Sequence, residues 1–519
     1  MREREQRLDP VTLSVLSSAL SGVAEEMGAV LIRGAYSSNI KERRDCSTAL
    51  FDSQGRMVAQ AEHIPVHLGA MPEAVAAVME KSPEPGDVFA INDPYSGGTH
   101  LPDITLVSPV SFEKGIIGYA VTRAHHSDVG GMRPGSMPSD SREVYQEGII
   151  IPPVKLVKNG EYVEDVLDLL LANVRTPGIR RGDLRAQIAA NNIAQERVSE
   201  LIERRGEDTI LAAFEEVISY AEQRARSVIR DLPDGAHSAE DFLEGDGATD
   251  EDIPIKATVT VNGDSMEIDF DETSSAARGN VNCPLAVTRS ACYFALRVLL
   301  PDDVPANAGT YIPLQIKAPR GSLVNAQSPS AVVAGNVETS NRIADVALAA
   351  LSGFAPQSVP AQGQGTMNNT IIGGRGWTYY ETIGGGQGAS AKGDGPSGVH
   401  VGMSNTLNTP IEALELEYPM QVTRYELKYG SGGDGEHRGG DSIIRSLRLL
   451  EDASLSLLTD RRRHAPKGSQ GGEPGEVGRN LLDGEELPAK VSLELEEGGI
   501  VTVETPGGGG YGGKRDPGP

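Results

Sequence analysis

Segments with helical periodicity and segments with strand periodicity alternate along this 519-residue chain, and this interleaving limits the folds open to it. Residues 9–35 place apolar side chains at close to helical spacing after an Asp-Pro start, which predicts one long amphipathic helix. Residues 47–59 and 255–270 each hold a turn sequence between two short runs suited to strands, DSQG in the first and Asn262-Gly263 in the second, and predict hairpins. No period of about 20–50 residues repeats, which disfavours a solenoid or a propeller. The predicted fold class is α+β with mixed sheets.

The predicted elements group into three parts of one region that spans residues 8–515. Residues 1–160 form an α/β part, 161–250 an α-rich middle segment, and 251–515 a glycine-rich β part. Further helices are predicted at 69–81, 284–300 and 342–353, strands at 87–92 and around 377–380, and a β meander over the last hundred residues. With 61 glycines and 32 prolines, we expect many loops, and we expect the loops to carry the function.

Charge and hydropathy exclude several classes of partner. Lys and Arg number 47 against 73 Asp and Glu, a net charge of −26, so a phosphate backbone would be repelled, and the longest basic run is only 461–463. No apolar run approaches the roughly 18 residues of a membrane-spanning helix, and the charged first ten residues do not resemble a secretory signal. Three scattered cysteines (Cys46, Cys283 and Cys292) agree with a reducing compartment. We therefore expect a cytoplasmic protein without nucleic-acid or membrane partners.

A predicted hairpin between Asp103 and His125 assembles the strongest candidate site. Two apolar runs flank a turn-like Glu-Lys-Gly, and a turn centred on Lys114 puts Asp103 directly opposite His125. Side chains in such a pair lie about 4.5–5.5 Å apart at Cβ, close enough to share one metal ion. His100 lies in the loop just before the first strand. Pro109 lacks a donor for the ladder and could shift this pairing through a bulge.

The same register distinguishes the two adjacent histidines. Because successive side chains of a strand point to opposite faces, His126 should face away when His125 faces Asp103. Two imidazoles and one carboxylate leave coordination positions open, which is typical of a catalytic ion such as Mn, Fe, Co or Zn. The alternative is that Asp103 accepts a loop hydrogen bond and that the histidines are ordinary, partly buried residues.

Other candidates are weaker. Asp93 ends a predicted strand and could act as a base, but Asn-Asp-Pro is also an ordinary turn. His63 and His67 are spaced four apart, yet Pro65 between them is incompatible with a helical metal pair, so a loop that lines the site, or plain packing, is favoured. Cys46 has no basic partner, which argues against a nucleophile. The glycine tracts at 384–388 and 506–512 could cradle an anion, with flexible linkage as the default, and a GxxxxGK[ST] phosphate loop is absent from the sequence. We expect no nucleotide cofactor on this chain.

Five short motifs, in this order and at this spacing, resemble the hydantoinase B/oxoprolinase family, from about residue 8 to the C-terminus. They are 42–47 (ERRDCS), 64–69 (IPVHLG), 92–94 with 97–103 (NDP and GGTHLPD), 125–128 (HHSD) and 505–512 (TPGGGGYG). The resemblance implies the metal-binding subunit of an ATP-dependent amidohydrolase that opens five-membered cyclic amides such as hydantoin, N-methylhydantoin or 5-oxoproline. It also implies a hetero-oligomer in which ATP is held, and the substrate phosphorylated, by a hydantoinase A-type ATPase subunit.

The related acetone carboxylases hold manganese on a His-x-x-Asp plus a downstream histidine. This pattern falls on His100, Asp103 and His125, so the resemblance favours a divalent metal there, and manganese among the candidates. The expected chemistry is attack of an activated water on the phosphorylated ring. Asp93 or Asp128 would accept the proton and Arg123 or Arg133 would steady an anionic substrate or phosphate; the alternative for these four is a solvated or turn position.

Two other functions remain open on the sequence alone. The chain could be a subunit of an ATP-dependent carboxylase that acts on a small ketone, although it is shorter than the carboxylase subunits it resembles. It could also be a scaffold whose metal only orders a loop while the partner performs the chemistry. Replacement of a metal ligand separates the enzyme hypotheses from the scaffold.

Overall fold

The computed structural model describes residues 8–513 except 63 and 114. Most of its helices occur in the N-terminal half, and their order along the chain matches the predicted interleaving with strands. The α-helices are α1 (Pro10–Gly34), α2 (Ser38–Lys41), α3 (Met71–Met79), α4 (Glu164–Ala172), α5 (Pro177–Arg205), α6 (Glu207–Arg230), α7 (Leu285–Leu299), α8 (Ala308–Tyr311), α9 (Ser340–Leu351) and α10 (Ile411–Glu417).

The strands of the described residues form four sheets. Their bounds are β1 (Cys46–Asp52), β2 (Met57–Glu62), β3 (Val88–Ile91), β4 (Asp103–Phe112), β5 (Gly115–His125), β6 (Val154–Lys158), β7 (Glu161–Tyr162), β8 (Gly235–Glu244), β9 (Asp252–Asn262), β10 (Ser265–Asp269), β11 (Leu314–Lys317), β12 (Asn369–Gly374), β13 (Trp377–Glu381), β14 (Met420–Lys428), β15 (Ser442–Leu449), β16 (Ala453–Leu458), β17 (Arg479–Leu482), β18 (Glu485–Leu487), β19 (Lys490–Leu495) and β20 (Ile500–Glu504). The sheet orders are β2-β1-β5-β4-β3-β6-β7, β11-β10-β9-β8, β13-β12-β16-β19 and β14-β15-β20-β17-β18. The predicted α+β class with mixed sheets is confirmed.

The seven-stranded sheet has two buried faces with different partners, and these faces position the candidate site. On one face, alternate residues such as Leu50, Ala120 and Ala124 pack against α1 and α5. On the other face, residues such as Phe51 and Val121 join the large core that contains α7 and α9. Since side chains alternate along a strand, successive core residues of β1 and β5 belong to one or the other of these two cores.

Helix α1 begins as the sequence predicts but buries a slightly different stripe. The Asp9 carboxylate accepts hydrogen bonds from the backbone of Val11 and Thr12 and caps the helix, and Pro10 occupies its first turn. The buried positions are Leu16, Leu20, Val23, Ala24, Met27, Gly28 and Leu31. Val11 and Val15, two of the apolar residues whose helical spacing predicted this helix, are exposed.

The prediction that no apolar run is long enough to cross a membrane is wrong for helix α1. An 18-residue window of it has a mean hydropathy of 1.4 and is long enough to span one by length and composition. In the structure, however, the helix packs along α5 and against β1 and β2. Its apolar stripe is thus part of the protein core, where a long run of apolar side chains is equally favourable.

Three predictions about the strands and helices need correction. The hairpin of β9 and β10 pairs Asn262 with Ser265, so its turn residues are Gly263 and Asp264, one position later than predicted. Gly263 has φ +60°, the left-handed conformation that glycine adopts most readily. The last hundred residues are not a meander, because β16 and β19 belong to the sheet of β12 and β13, whereas their sequence neighbours β15, β17, β18 and β20 belong to another sheet. Strand β8 lies within the range predicted to be helical, in which the last helix, α6, ends at Arg230.

The two glycine tracts are packed against each other rather than serving as flexible linkers. The Gly386 amide donates to the Pro506 carbonyl, and the Gly508 amide donates to the Gly440 carbonyl. A Cβ atom at Gly508 would lie 2.0 Å from the Gln387 carbonyl oxygen, so these backbones approach more closely than a side chain permits. Their N–H groups are used within the protein, which leaves the anion-cradle hypothesis without donors at these two positions.

Candidate metal centre

The hairpin of β4 and β5 brings together the three residues predicted from the sequence. Asp103 begins β4 and His125 ends β5, and the two are direct partners in the register, as predicted. The expected disturbance near Pro109 occurs as a register shift between Val110 and Ser111. Since it lies at the turn end of the hairpin, it leaves the pairing at the site intact. His100 lies in the turn before β4.

The potential ligand atoms of this trio converge on one point. His100 Nε2 lies 3.1 Å from Asp103 Oδ1, His125 Nδ1 lies 3.1 Å from the same oxygen, and the two nitrogens are 3.2 Å apart. Neighbouring ligands around an ion with bonds of about 2.1 Å are separated by about 3.0 Å in octahedral and about 3.4 Å in tetrahedral geometry. The spacing therefore fits a divalent ion bound on one side, and the role of these residues as metal ligands stays a prediction.

A second layer of side chains holds Asp103. Thr99 donates its hydroxyl to Asp103 Oδ2, and His67 Nε2 lies 3.4 Å from the same oxygen. His67 Nδ1 is in turn 2.9 Å from the Ser47 hydroxyl of β1. The sequence left open whether His67 lies in a loop that lines the site or only packs, and it did not name Asp103 as a partner, although the IPVHLG motif was a signal for the importance of His67. His63, its proposed neighbour, lies outside the described residues.

His125 is fixed from two other directions. The ring of Tyr380 on β13 stacks on it, with centroids 4.4 Å apart and planes at 17°. The backbone N–H of His125 donates to the carbonyl of Asp45, whose side chain is also buried. No sequence pattern connects Tyr380 with a histidine 255 positions earlier, so this contact could not be predicted from spacing.

The pKa shifts of Asp103 and His125 favour the forms of these two side chains that bind a metal. Burial raises the pKa of Asp103, but the charge of His100 and hydrogen bonds from His100, His125 and His67 outweigh this effect and hold the pKa well below its usual value. Burial lowers the pKa of His125, against the opposing hydrogen bond with Asp103. A carboxylate and a neutral imidazole are the forms that bind a cation.

Arg123 lies on the same face of β5 as His125, two residues earlier. Its Nε donates to the Thr105 hydroxyl at 2.7 Å, one Nη donates to the Gly97 carbonyl at 2.9 Å, and the other Nη is buried without a hydrogen-bond partner. Burial lowers the pKa of Arg123 to about 10, against the opposing charge of Asp103. The side chain thus brings a cation with a free donor to the neighbourhood of the trio.

The other predicted residues have partners outside the trio. Asp128 accepts hydrogen bonds from the backbone of Gly130 and Gly135 and pairs with Arg175 at 2.9 Å, so its carboxylate anchors a loop. Arg133 pairs with the exposed Glu494 at 2.8 Å. These partners give both residues local roles, and the proton-acceptor and substrate-binding roles predicted for them stay predictions.

Asp93, His126 and Cys46 have the structural roles that the sequence analysis gave as alternatives to a function. The Asp93 carboxylate accepts from the Tyr95 backbone and the Ser96 hydroxyl, which makes it a turn residue. His126 faces the opposite side of the sheet, as the register predicts, and its Nε2 is 2.9 Å from Gln187 Oε1 on α5. Cys46 is buried against α1, and burial raises the pKa of its thiol.

Comparison with known proteins assigns the chain to a family. The model of the hydantoinase B/oxoprolinase family matches residues 9–514. The chain belongs to this family. An uncharacterized protein of Methanocaldococcus jannaschii is 44% identical over 97% of this chain and 91% of its own length. A putative D-/L-hydantoinase B-type subunit of a Pseudomonas species is 35% identical, over 98% of this chain and 90% of that protein.

Some members of the family are much longer. 5-Oxoprolinase 1 of Arabidopsis thaliana is 38% identical over 98% of this chain, but the match covers 42% of that protein. This chain therefore spans about two fifths of the plant enzyme, whereas it is similar in length to the Pseudomonas hydantoinase chain. Family members thus occur both as separate chains and as one part of a larger polypeptide.

Two solved structures share the fold. The ATP-dependent caprolactamase from Pseudomonas jessenii superposes with a TM-score of 0.91 at 31% identity and covers 98% of this chain and 91% of that chain. A nucleotide-free structure of acetone carboxylase superposes with a TM-score of 0.88 at 19% identity and covers 98% of this chain and 76% of that chain. At that identity the second comparison shows a common fold and nothing finer.

Proposed function

We propose that this chain is the metal-dependent subunit of an ATP-dependent hydrolase that opens five-membered cyclic amides. The candidate substrates are hydantoin, N-methylhydantoin and 5-oxoproline, and the expected location is the cytoplasm. The observation that carries the proposal is the convergence of His100 Nε2, Asp103 Oδ1 and His125 Nδ1 within 3.2 Å of one another at a buried point. Support comes from relatives named 5-oxoprolinase, D-/L-hydantoinase and ATP-dependent caprolactamase.

The chemistry of a cyclic amide explains why two subunits would share the reaction. Resonance makes the ring carbonyl a poor electrophile, and phosphorylation of its oxygen by an ATPase partner would create a leaving group. A divalent ion held by the trio would act as a Lewis acid toward the ring and would acidify water. Asp103, held by Thr99 and His67, and His125, held by Tyr380, would keep the ligand set in a fixed geometry.

Arg123 would bind the anionic part of the substrate. Its unpartnered Nη group is buried, and a buried donor without an acceptor costs about 1–3 kcal/mol, which a carboxylate or phosphate oxygen would recover. Asp93 and Asp128 have no part in this proposal, because loop hydrogen bonds occupy their carboxylates.

The need for a hydantoinase A-type ATPase partner is supported by the lengths of the relatives. The match covers 42% of the plant 5-oxoprolinase but 90% of the Pseudomonas hydantoinase chain, so the larger enzyme has room for a second function in the same polypeptide. The sequence of this chain contains no GxxxxGK[ST] phosphate loop. We therefore expect ATP turnover only in a hetero-oligomer.

The test is to purify the chain with and without a co-expressed ATPase partner and to measure metal content and ADP release. The substrates are 5-oxoproline, N-methylhydantoin, caprolactam, and acetone with bicarbonate. We expect the complex to turn over a five-membered cyclic amide, and we expect no turnover by the chain without its partner. Turnover of acetone with bicarbonate would instead identify a carboxylase.

Variants assign the roles within the centre. His100→Ala and Asp103→Ala should lose both the bound metal and turnover, whereas Arg123→Met should keep the metal and raise KM by about tenfold or more. His126→Gln is the matched control, because this histidine adjoins His125 in the chain but lies on the other face of the sheet. Full turnover by the metal-free His100→Ala complex would contradict the proposal and favour the scaffold hypothesis.

A further inference from the structure

Asn336 approaches the candidate metal centre from a distant part of the chain. Its Nδ2 lies 3.1 Å from His100 Nε2, the same atom that lies 3.1 Å from Asp103 Oδ1 and 3.2 Å from His125 Nδ1. The residue is 3% exposed, and 236 positions separate it from His100. A fourth polar side chain thus lies at ligand-to-ligand distance from the trio.

The local backbone fixes Asn336 in this position. It lies in the π-helical turn Gly335–Thr339 that precedes α9. Such turns are rare in proteins, and those that occur are often found at functional sites. The amide of Gly335 donates to the Asn280 carbonyl, and a Cβ atom at Gly335 would lie 1.8 Å from the Asn282 carbonyl oxygen. The Ser340 hydroxyl donates to the Asn336 carbonyl at 2.6 Å. The approach of this turn to its neighbours therefore depends on a glycine before Asn336.

Neither end of the Asn336 amide is satisfied when His100 binds an ion. The lone pair of His100 Nε2 would be committed to the cation, so Nδ2–H would lose its acceptor. Oδ1 is buried without a hydrogen-bond partner. A half-turn about the terminal bond exchanges the two ends and presents the carbonyl oxygen to the cation, and the two orientations have nearly the same shape.

We infer that the Asn336 amide oxygen is a fourth protein ligand of the metal ion at His100, Asp103 and His125. An amide oxygen beside a carboxylate and two imidazoles gives two oxygen and two nitrogen donors, a set that suits Mn²⁺ or Fe²⁺. The inference rests on the proposed metal role of the trio and adds a donor from another segment of the fold. The ion would then tie the hairpin of β4 and β5 to the start of α9.

The experiment measures Mn²⁺ binding to the full-length chain by calorimetry and by the stabilisation of thermal unfolding that Mn²⁺ produces. Asn336→Asp keeps an oxygen donor, while Asn336→Leu keeps the size and removes it. We expect Asn336→Asp to bind Mn²⁺ at least as tightly as the wild type and Asn336→Leu to bind at least tenfold more weakly. Asn341→Leu is the control, since the amide of this buried residue bonds to Val337 and Met403 instead.

Each outcome decides the inference. Equal affinity of Asn336→Leu and the wild type would overturn it while leaving the trio intact, and so would equal weakening in Asn336→Asp and Asn336→Leu. A tenfold loss in Asn341→Leu would also overturn it, because damage to α9 would then explain the effect. Failure of the wild type to bind Mn²⁺, with His100→Ala indistinguishable from it, would remove the proposed function and this inference together.

Discussion

At the scale of single residues, the partners of a buried charged group decide whether it can bind a metal or only holds the fold. Asp103 and Asp128 are both buried aspartates near the hairpin, but only Asp103 faces imidazole nitrogens, whereas Asp128 is surrounded by backbone N–H groups and Arg175. A sequence shows the residue type but not its donors and acceptors. The candidate ligands could be predicted because local strand geometry pairs them, and the loop residues could not.

Glu147 provides a residue-scale prediction about pH. It lies fully buried, and it accepts hydrogen bonds from the Ser141 hydroxyl and the backbone of Val332 and Val333. Burial raises its pKa to about 7, against these hydrogen bonds and the charge of His100. Tyr95 is a further titratable group beside it.

The folded state binds the proton of the Glu147 carboxyl more tightly than the unfolded state does. The contribution of this proton to the free energy of unfolding is therefore complete below about pH 4.5 and is lost as the pH rises through about 7. The shift corresponds to roughly 3 kcal/mol at most. We expect Glu147→Gln to gain about 1–3 kcal/mol relative to the wild type between about pH 5 and pH 8, measured by urea denaturation at both pH values. A difference between the two proteins that does not change with pH would contradict the assignment.

At the scale of elements, the hairpin of β4 and β5 is the unit that the sequence specifies best. Its register follows from the position of the turn and from the alternation of side chains between the two faces of a strand. The bulge beyond Val110 does not reach the site. The pairing of β5 with β1, by contrast, joins segments about seventy residues apart and depends on a close approach of backbones. This second contact holds the His125 strand in the middle of the sheet.

Gly118 tests that contact. A Cβ atom there would lie 2.2 Å from the Phe51 carbonyl oxygen of β1, whereas at Gly115 of the same strand nothing lies within 4 Å. We expect Gly118→Ala to lower the free energy of unfolding by about 2 kcal/mol or more, because the strands must separate. Gly115→Ala should change it by less than about 0.5 kcal/mol. Urea denaturation of the two variants compares them directly, and equal effects would refute a role for the close approach.

At the scale of the whole molecule, a buried charge cluster connects elements that are far apart in sequence. Arg461 donates from one Nη to Asp241 of β8 at 2.9 Å and to Asp345 of α9 at 2.7 Å. Arg342 pairs with Asp345 as well, at 2.9 Å. Arg461 is the first residue of the longest basic run of the chain, 461–463. Its charge is thus used inside the protein, in ion pairs with Asp241 and Asp345.

Replacement of Arg461 should therefore be far more damaging than replacement of Arg463. Arg461→Met leaves Asp241 and Asp345 buried with less compensation, and we expect a loss of about 3–5 kcal/mol. Arg463 pairs with Asp252 where both side chains are about a third or more exposed, so Arg463→Met should cost less than about 1 kcal/mol. Denaturation curves of both variants measure the difference. A loss in Arg463→Met as large as that in Arg461→Met would disprove the assignment.

The sequence by itself determined the α+β class, the long first helix, the hairpin that pairs Asp103 with His125, and the family. These features follow from the periodicity of apolar side chains, from turn residues and from short motifs. Each of these patterns lies within a few tens of residues of the sequence. Only the tertiary structure decided that His67, Tyr380, Arg123 and Asn336 lie around the trio, that Asp128 pairs with Arg175 and Arg133 with Glu494, and that the glycine tracts pack on each other. Those contacts depend on which distant segments pack together, and packing is decided by the burial of the whole chain rather than by any local pattern.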